Sequence, residues 1–327
     1  MIAKKMVKYV EGSSVIRAMF EEGKKMAQKY GAENVYDFSL GNPSTLPPKA
    51  VNQAIIDVVN NEEPNRVHGY MNNSGFEDVR DAIAKSLNER FETDFSEKNI
   101  LMTVGAAGGL NVILKSIIDP GDEVITFAPY FGEYNNYVAN FDGKVVAVSP
   151  NPPTFQPNIK EFSEKITAKT KAVIINNPNN PTGALYPKEV LMEIVKIARE
   201  HQLIIFSDEI YDRLVMDGEE HVSIASLAPD LFCVTFSGLS KSHMIAGFRI
   251  GWMILSGNKA IARDYIEGLN MLSNMRLCSN VPAQAVVQTA LGGHQSVNDY
   301  IIPGGRIYEQ REFIYNALCD IPGISAV

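Results

Sequence analysis

The residues best able to do chemistry lie in SGLSKSHMIAGFRIGW, Ser237 to Trp252. One lysine, Lys241, follows small and hydroxylic residues, and Arg249 comes eight positions later. Leu239 before the lysine and Met244, Ile245 and Ala246 after it are apolar, and a strand-like run, IGWMIL, follows Arg249. A lysine in an apolar-walled site can lose its proton near neutral pH, and the neutral amine can form an imine with an aldehyde. A fixed guanidinium nearby suits a phosphate. The pair therefore describes a site for a ligand that carries both an aldehyde and a phosphate. The string by itself also fits an ordinary loop lysine.

Five other segments have chemistry of their own, each beside a plainer alternative. TVGAAGGLNVIL, Thr103 to Leu114, reads as a strand end, a small-residue turn and an apolar helix. Backbone N–H groups at Gly105, Ala106 and Ala107 could bind an anion there. The spacing is neither GxGxxG nor GxxxxGK, which argues against dinucleotide and P-loop sites and leaves a tight strand–helix turn as the alternative. NNPNNPTG, Asn176 to Gly183, is turn chemistry after a strand. In SDEIYDR, Asp208 ends a buried strand and needs a partner to offset desolvation. A helix cap or an ion pair would serve as well as a ligand. APYFGEY offers Phe131, and after it Tyr130, as an aromatic face, although an aromatic there also suits the core. RVHGYMNNSG contains Tyr70, by itself a turn tyrosine.

The elements that must hold these residues are legible as seven β-branched runs: 100–104, 123–127, 144–148, 172–176, 203–208, 231–236 and 249–255. Several are continuously apolar, the pattern of strands buried on both faces. Helical periodicity between several of them predicts a mostly parallel sheet covered on both sides. The short connection Ser237–Phe248 permits an antiparallel last strand. One intervening helix runs from Pro187, at the first helical position, to Glu200, with Val190, Leu191, Ile194, Val195 and Ala198 on its apolar face. A helix from about Ser14 to Tyr30 stops at Gly31, GNPSTLPP (41–48) reads as an extended crossing segment, and helical pattern resumes from Pro282 and again over 306–318.

Composition sets the outer limits. At 327 residues, 45% hydrophobic and 21% charged, the chain is globular and long enough for one large domain plus a smaller one. A net charge of −8 argues against nucleic acid or an anionic membrane as the main partner. Three scattered cysteines, Cys233, Cys278 and Cys319, predict neither a disulfide framework nor a zinc knuckle and fit a reducing cytoplasm. The five histidines form no ligand-spaced pair, so no metal is expected. Neither a signal peptide nor a membrane span is expected.

With all six segments in family order over nearly its whole length, the chain resembles the class I and II aminotransferases, pyridoxal-phosphate enzymes of fold type I. The resemblance implies a three-layer α/β/α large domain at 46–285 with a seven-stranded mostly parallel sheet. Residues 1–45 would be an arm and small-domain segment, and 286–327 the start of a partial small α/β domain. It implies that Lys241 holds pyridoxal 5′-phosphate, Asp208 its ring nitrogen, and Asn180 and Tyr211 its phenolic oxygen, with Phe131 on the ring face. Arg249 and the turn at Gly105, Ala106 and Ala107 would anchor the phosphate, joined by Tyr70 of the other subunit of a homodimer. Gly41 and Asn180 would lie at the substrate. Many relatives have serine three residues before the lysine; here that position is Gly238, so Ser237 or Ser240 is expected to supply the phosphate hydroxyl. Family members also continue past Val327 through a stretch carrying the arginine that grips the α-carboxylate, so the chain reads as truncated at its C-terminus. The expected reaction moves an amino group between an alanine- or aspartate-like amino acid and a 2-oxo acid such as 2-oxoglutarate. The alternatives are a cysteine-sulfur β-lyase on the same cofactor residues, or a cofactor-binding but impaired fragment.

Overall fold

The computed structural model describes the chain apart from residues 5, 8–14, 39, 40, 43 and 44. It comprises two compact units, Met1–Thr45 and Leu46–Val327. In the first, helix α1 (Val15–Tyr30) ends where Gly31 takes φ 88°, a value that residues with a β-carbon rarely adopt. The expected start at Ser14 lies outside the described residues, as do Pro43 and Ser44 of the expected crossing segment.

The second unit is built on a seven-stranded sheet. Its strands are β1 (Ile100–Val104), β2 (Glu123–Phe127), β3 (Lys144–Val148), β4 (Thr170–Asn176), β5 (Ile204–Asp208), β6 (Phe232–Gly238) and β7 (Ile250–Gly257). Their order across the sheet is β1-β7-β6-β5-β4-β2-β3. All pairs are parallel except those of β7, which runs antiparallel to both β1 and β6. Each expected run is a strand: β1, β2 and β3 match end to end, and the ends of the other four shift by one or two residues. The apolar run of β6 stops at Phe236, yet Ser237 and Gly238 continue the ladder opposite Trp252 and Gly251. Backbone pairing goes on after the apolar signal has ended.

Alternate residues of the central strands enter different cores, as a period of two requires. Val124, Ile174, Phe206 and Val234 face one layer with helices α4 (Gly105–Ile117) and α9 (Arg263–Met275). Ile125, Val173, Ile205 and Cys233 face the other, where α6 (Ile159–Lys165) and α7 (Lys188–Glu200) contribute Phe162, Leu191 and Ile194. Helices α2 (Lys49–Asn61) and α3 (Glu77–Phe91) cover the β1–β7 end of that second face through Val51, Val79 and Ile83. The architecture is therefore three-layered, α/β/α. Pro187, the expected first helical residue, lies one position outside the observed helix: its ψ of 162° is extended, so it caps α7 rather than beginning it. Residues 286–327 hold helices, chiefly α10 (Val287–Gly292) and α11 (Arg306–Cys319). No helix among the described residues is long and apolar enough to cross a membrane.

Candidate active site

The sheet gathers the reactive residues at one edge. Parallel strands β4, β5 and β6 all end there, so Asn176 stands opposite Asp208, and Asp208 opposite Phe236. Because β7 runs the other way, its beginning lies at the same edge, with Ile250 opposite Val104 and Gly251 opposite Gly238. This reversal brings Arg249 to the start of α4, 145 residues away in sequence from Val104, whose carbonyl accepts from Nη2 at 3.4 Å. Crevices outside the carboxyl ends of such strands are where open α/β sheets bind ligands.

Asp208 is buried and makes no ion pair among the described residues. Oδ2 accepts from the Tyr134 hydroxyl at 2.7 Å, and Oδ1 from the Ile210 amide at 3.3 Å. Burial pushes its carboxyl up to about 6, aided by neighbouring Glu209 and opposed by the two hydrogen bonds. A positively charged partner would relieve this. Tyr134, on α5 (Glu133–Ala139), was not singled out in the sequence. It is fully buried, and burial and then Asp208 hold its phenol well above the usual range. The Asp208 carbonyl accepts from Asn176 Nδ2 at 2.9 Å and from the Asn177 amide at 3.1 Å. Asn176 Oδ1 then takes the Asn180 amide at 2.6 Å, and Asn180 Nδ2 donates to the Tyr211 hydroxyl at 3.3 Å. The NNPNNPTG turn is thus tied to the strand end that carries Asp208.

Lys241 lies on the short helix α8 (Leu239–Ser242), with Nζ 5.8 Å from the centre of the Tyr211 ring. Burial, and then the positive charge of Arg249, lowers its proton affinity. Beneath it, Ser242 Oγ donates to the Gly238 carbonyl at 3.1 Å or to His243 Nδ1 at 2.9 Å, and His243 Nε2 donates to the Ala290 carbonyl at 2.8 Å. Burial lowers the His243 imidazole to about 4, so it stays neutral and anchors the lysine turn to α10. Ser242 and His243, which the sequence did not single out, thus tie the lysine turn to α10. Ser237 and Ser240 are both buried at this turn.

Met244 and Arg249, at either end of the connection to β7, hold left-handed φ values of 57° and 55°. Such values are uncommon for residues other than glycine and cluster at functional sites. The Arg249 guanidinium donates only to carbonyls, Ala246 at 3.0 Å and Val104 at 3.4 Å, and pairs with no carboxylate among the described residues. Gly105 packs against it with φ 70°, and a β-carbon there would overlap the guanidinium. Gly105, Ala106 and Ala107 form the first turn of α4, whose start no side chain caps. Its N–H groups and the arginine together form a donor set for an anion.

Phe131 is 37% exposed and stands edge-on to Tyr134 at 5.6 Å, while Tyr130 stacks on Tyr134 at 6.4 Å. Tyr70 is 86% exposed. Gly41 belongs to the first unit, where it is exposed with open space where a β-carbon would sit. A cavity of about 980 Å³ borders the site at Asn180 and Tyr211. Lys241, Asp208 and Arg249 do not line that cavity.

An amine of lowered proton affinity, a buried carboxylate without a cation and an anion cradle define, on this fold, a site of the pyridoxal-phosphate type. The residues fit that cofactor. The sequence matches the family described as "Aminotransferase class I and II" over residues 33–327, and the chain belongs to that family. It is 42% identical over 310 residues to the glutamate-pyruvate aminotransferase AlaA of Escherichia coli K12, covering 94% of this chain and 76% of that protein. It is 38% identical to the alanine aminotransferase of Mycobacterium bovis, covering 90% and 68%. A solved Escherichia coli aminotransferase superposes with a TM-score of 0.91 at 39% identity, covering 99% and 79%. The aspartate aminotransferase of Thermus thermophilus with maleate does so with 0.83 at 26%, covering 98% and 80%. The protein is an aminotransferase dependent on pyridoxal phosphate, acting between an amino acid and a 2-oxo acid.

Proposed function

We propose that the protein is an alanine-type aminotransferase, taking its amino group from glutamate or alanine and delivering it to the 2-oxo acid of the other. The observation that carries the site assignment is the convergence of Lys241, Asp208, Arg249 and the Asn180–Tyr211 pair on one sheet edge. Names borne by relatives at 42% and 38% identity support the substrate pair. Nothing in them favours the β-lyase. Assay with alanine plus 2-oxoglutarate should give pyruvate and glutamate, with aspartate as a poorer donor and no sulfide or thiol from cystathionine. Turnover of cystathionine alone would overturn the reading.

When bound, the cofactor supplies an electron-withdrawing ring and a carbonyl carbon. Lys241 Nζ, its proton affinity lowered by burial and by Arg249, would hold the cofactor through that carbon. When free, the same nitrogen would move the proton between the substrate Cα and the cofactor carbon. Asp208 would hold a proton on the ring nitrogen. Asn180 and Tyr211 would serve the ring oxygen, and Phe131, or Tyr130 after it, would cover one ring face. Arg249, the amides of Gly105, Ala106 and Ala107, and a hydroxyl of Ser237 or Ser240 would hold the phosphate. Gly41 and Asn180 are assigned to the substrate. The domain boundaries assigned are 1–45, 46–285 and 286–327, and the compartment is the cytoplasm.

The working unit is proposed to be a homodimer in which Tyr70 completes the phosphate site of the neighbouring subunit. Its exposure, and the exposure of Met271 and Met275 on α9, support a covered surface there. Sedimentation should show a dimer at micromolar concentration, and Tyr70→Phe should weaken cofactor binding severalfold. An active monomer, or full cofactor affinity in the variant, would count against it.

A further inference from the structure

Glu209 is the charged side chain next to Asp208, and the reaction described above does not use it. It is 3% exposed. Oε1 accepts from Ser207 Oγ at 2.8 Å and from the Ile224 amide at 2.9 Å, and Oε2 faces His221 Nε2 at 3.0 Å. The His221 ring packs edge-on to Phe91 at 5.8 Å, and its buried Nδ1 has no hydrogen-bond partner. A proton on Nε2 alone suits both nitrogens, since a second N–H at Nδ1 would be a buried donor with nothing to donate to. The pair then carries one net negative charge. The Glu209 amide donates to the Phe236 carbonyl at 2.8 Å, so this charge is fixed at the end of β5.

We propose that Glu209 is a positioning residue for the cofactor: its clamped carboxylate holds a second buried negative charge behind Asp208. A protonated ring nitrogen held by Asp208 would then lie in the field of both carboxylates. This rests on the assignment of Asp208 to the ring nitrogen. Charges act strongly on one another here because water is excluded from both. Glu209 also acts in the direction the proposal needs, favouring the proton at Asp208. The other titratable groups facing Asp208 are the phenols of Tyr134, Tyr137 and Tyr211. Glu209 is faced by His221 and by the Cys233 thiol, which burial raises to about 12. Those phenols and that thiol are neutral near pH 7, so Glu209 supplies the fixed charge.

The test is titration of Asp208 in the cofactor-free protein by carboxyl ¹³C NMR, with Asp208→Asn to assign the signal. Glu209→Gln removes the charge and keeps the shape. His221→Lys neutralises the charge in place, and His221→Gln leaves it. In the first two the Asp208 midpoint should fall by about half a pH unit or more. Cofactor affinity at pH 8 should weaken about threefold, the same half unit read as an equilibrium constant. His221→Gln should leave the midpoint unchanged. An unmoved midpoint in whichever of Glu209→Gln and His221→Lys folds, or an equal fall in His221→Gln, would show a structural clamp only and overturn the proposal. So would a lowered midpoint with unchanged cofactor affinity. If instead Asp208→Asn alters neither cofactor affinity nor rate, the assignment of Asp208 itself fails, which the Glu209 titration does not depend on.

Discussion

Lys241→Ala is expected to lower kcat by about 10³-fold or more and to abolish covalent attachment of the cofactor. Two functions are lost with one nitrogen: the bond to the cofactor carbon, and the base that moves the Cα proton. Positioned proton transfer alone is worth about 10²–10⁴-fold. Lys241 suits both tasks because burial and Arg249 lower its proton affinity. Borohydride reduction of the parent protein, followed by peptide mapping, should place the cofactor on the peptide containing Lys241. Recovery of label on another lysine, or none, would sink the assignment. Added methylamine, a small amine in place of the lost one, should restore part of the rate in Lys241→Ala. Arg249→Ala provides the contrast. It should chiefly weaken cofactor affinity, because the guanidinium is assigned to the phosphate and not to the proton transfer.

Asp208→Asn should slow the chemical step at least tenfold, about 1.4 kcal/mol of barrier, while making the cofactor-free protein more stable. The two effects have one cause. The carboxyl is raised from 3.8 to about 6, chiefly by burial. The folded state therefore holds this proton more tightly than the unfolded state does. Stability from this group falls as pH rises from about 4 to about 6, and the loss is complete above that. A shift of this size corresponds to roughly 3 kcal/mol as an upper figure. Asparagine, which cannot ionise, removes the penalty but cannot hold a proton on the ring nitrogen. Urea unfolding of the cofactor-free proteins should show the variant ahead at pH 8 and level with the parent below pH 4. Single-turnover rates at saturating cofactor should show the reverse order of merit. Equal rates, or a stability gap that does not change with pH, would refute the role given to the carboxylate.

The sheet was legible because its strands are buried on both faces and so carry unbroken apolar runs, as in AVIIN and LFCVTF. The fold class followed from their alternation with helices. Helix α3 was less legible: Arg80 lies on its inner side, buried, donating to the Glu97 carbonyl at 2.6 Å and breaking the apolar period. At the site, Lys241, Arg249, Asp208 and Asn180 announce themselves through side-chain chemistry set in distinctive local strings. Tyr134 does not. It stands in APYFGEY, where an aromatic reads as core, and its bond to Asp208 joins residues 74 apart in sequence. The link between Glu209 and His221 is hidden for a similar reason: a glutamate and a histidine twelve residues apart suggest nothing until a loop folds back on the strand end. Sequence shows which groups are reactive. It shows poorly which neutral or distant groups hold them.

The antiparallel direction of β7 has a mechanical consequence. Gly238 and Gly251 face each other across the ladder, so the chain between them forms a closed loop bearing both Lys241 and Arg249. The reach between amine and guanidinium is thereby set by the length of one loop rather than by the docking of distant elements. A strand register can slip only in whole residues, and each single step turns every side chain to the opposite face. Changing the loop by one residue would thus not stretch the site gradually. It would either be absorbed by distorting the left-handed turns at Met244 and Arg249 or turn the end of β7 over as a unit.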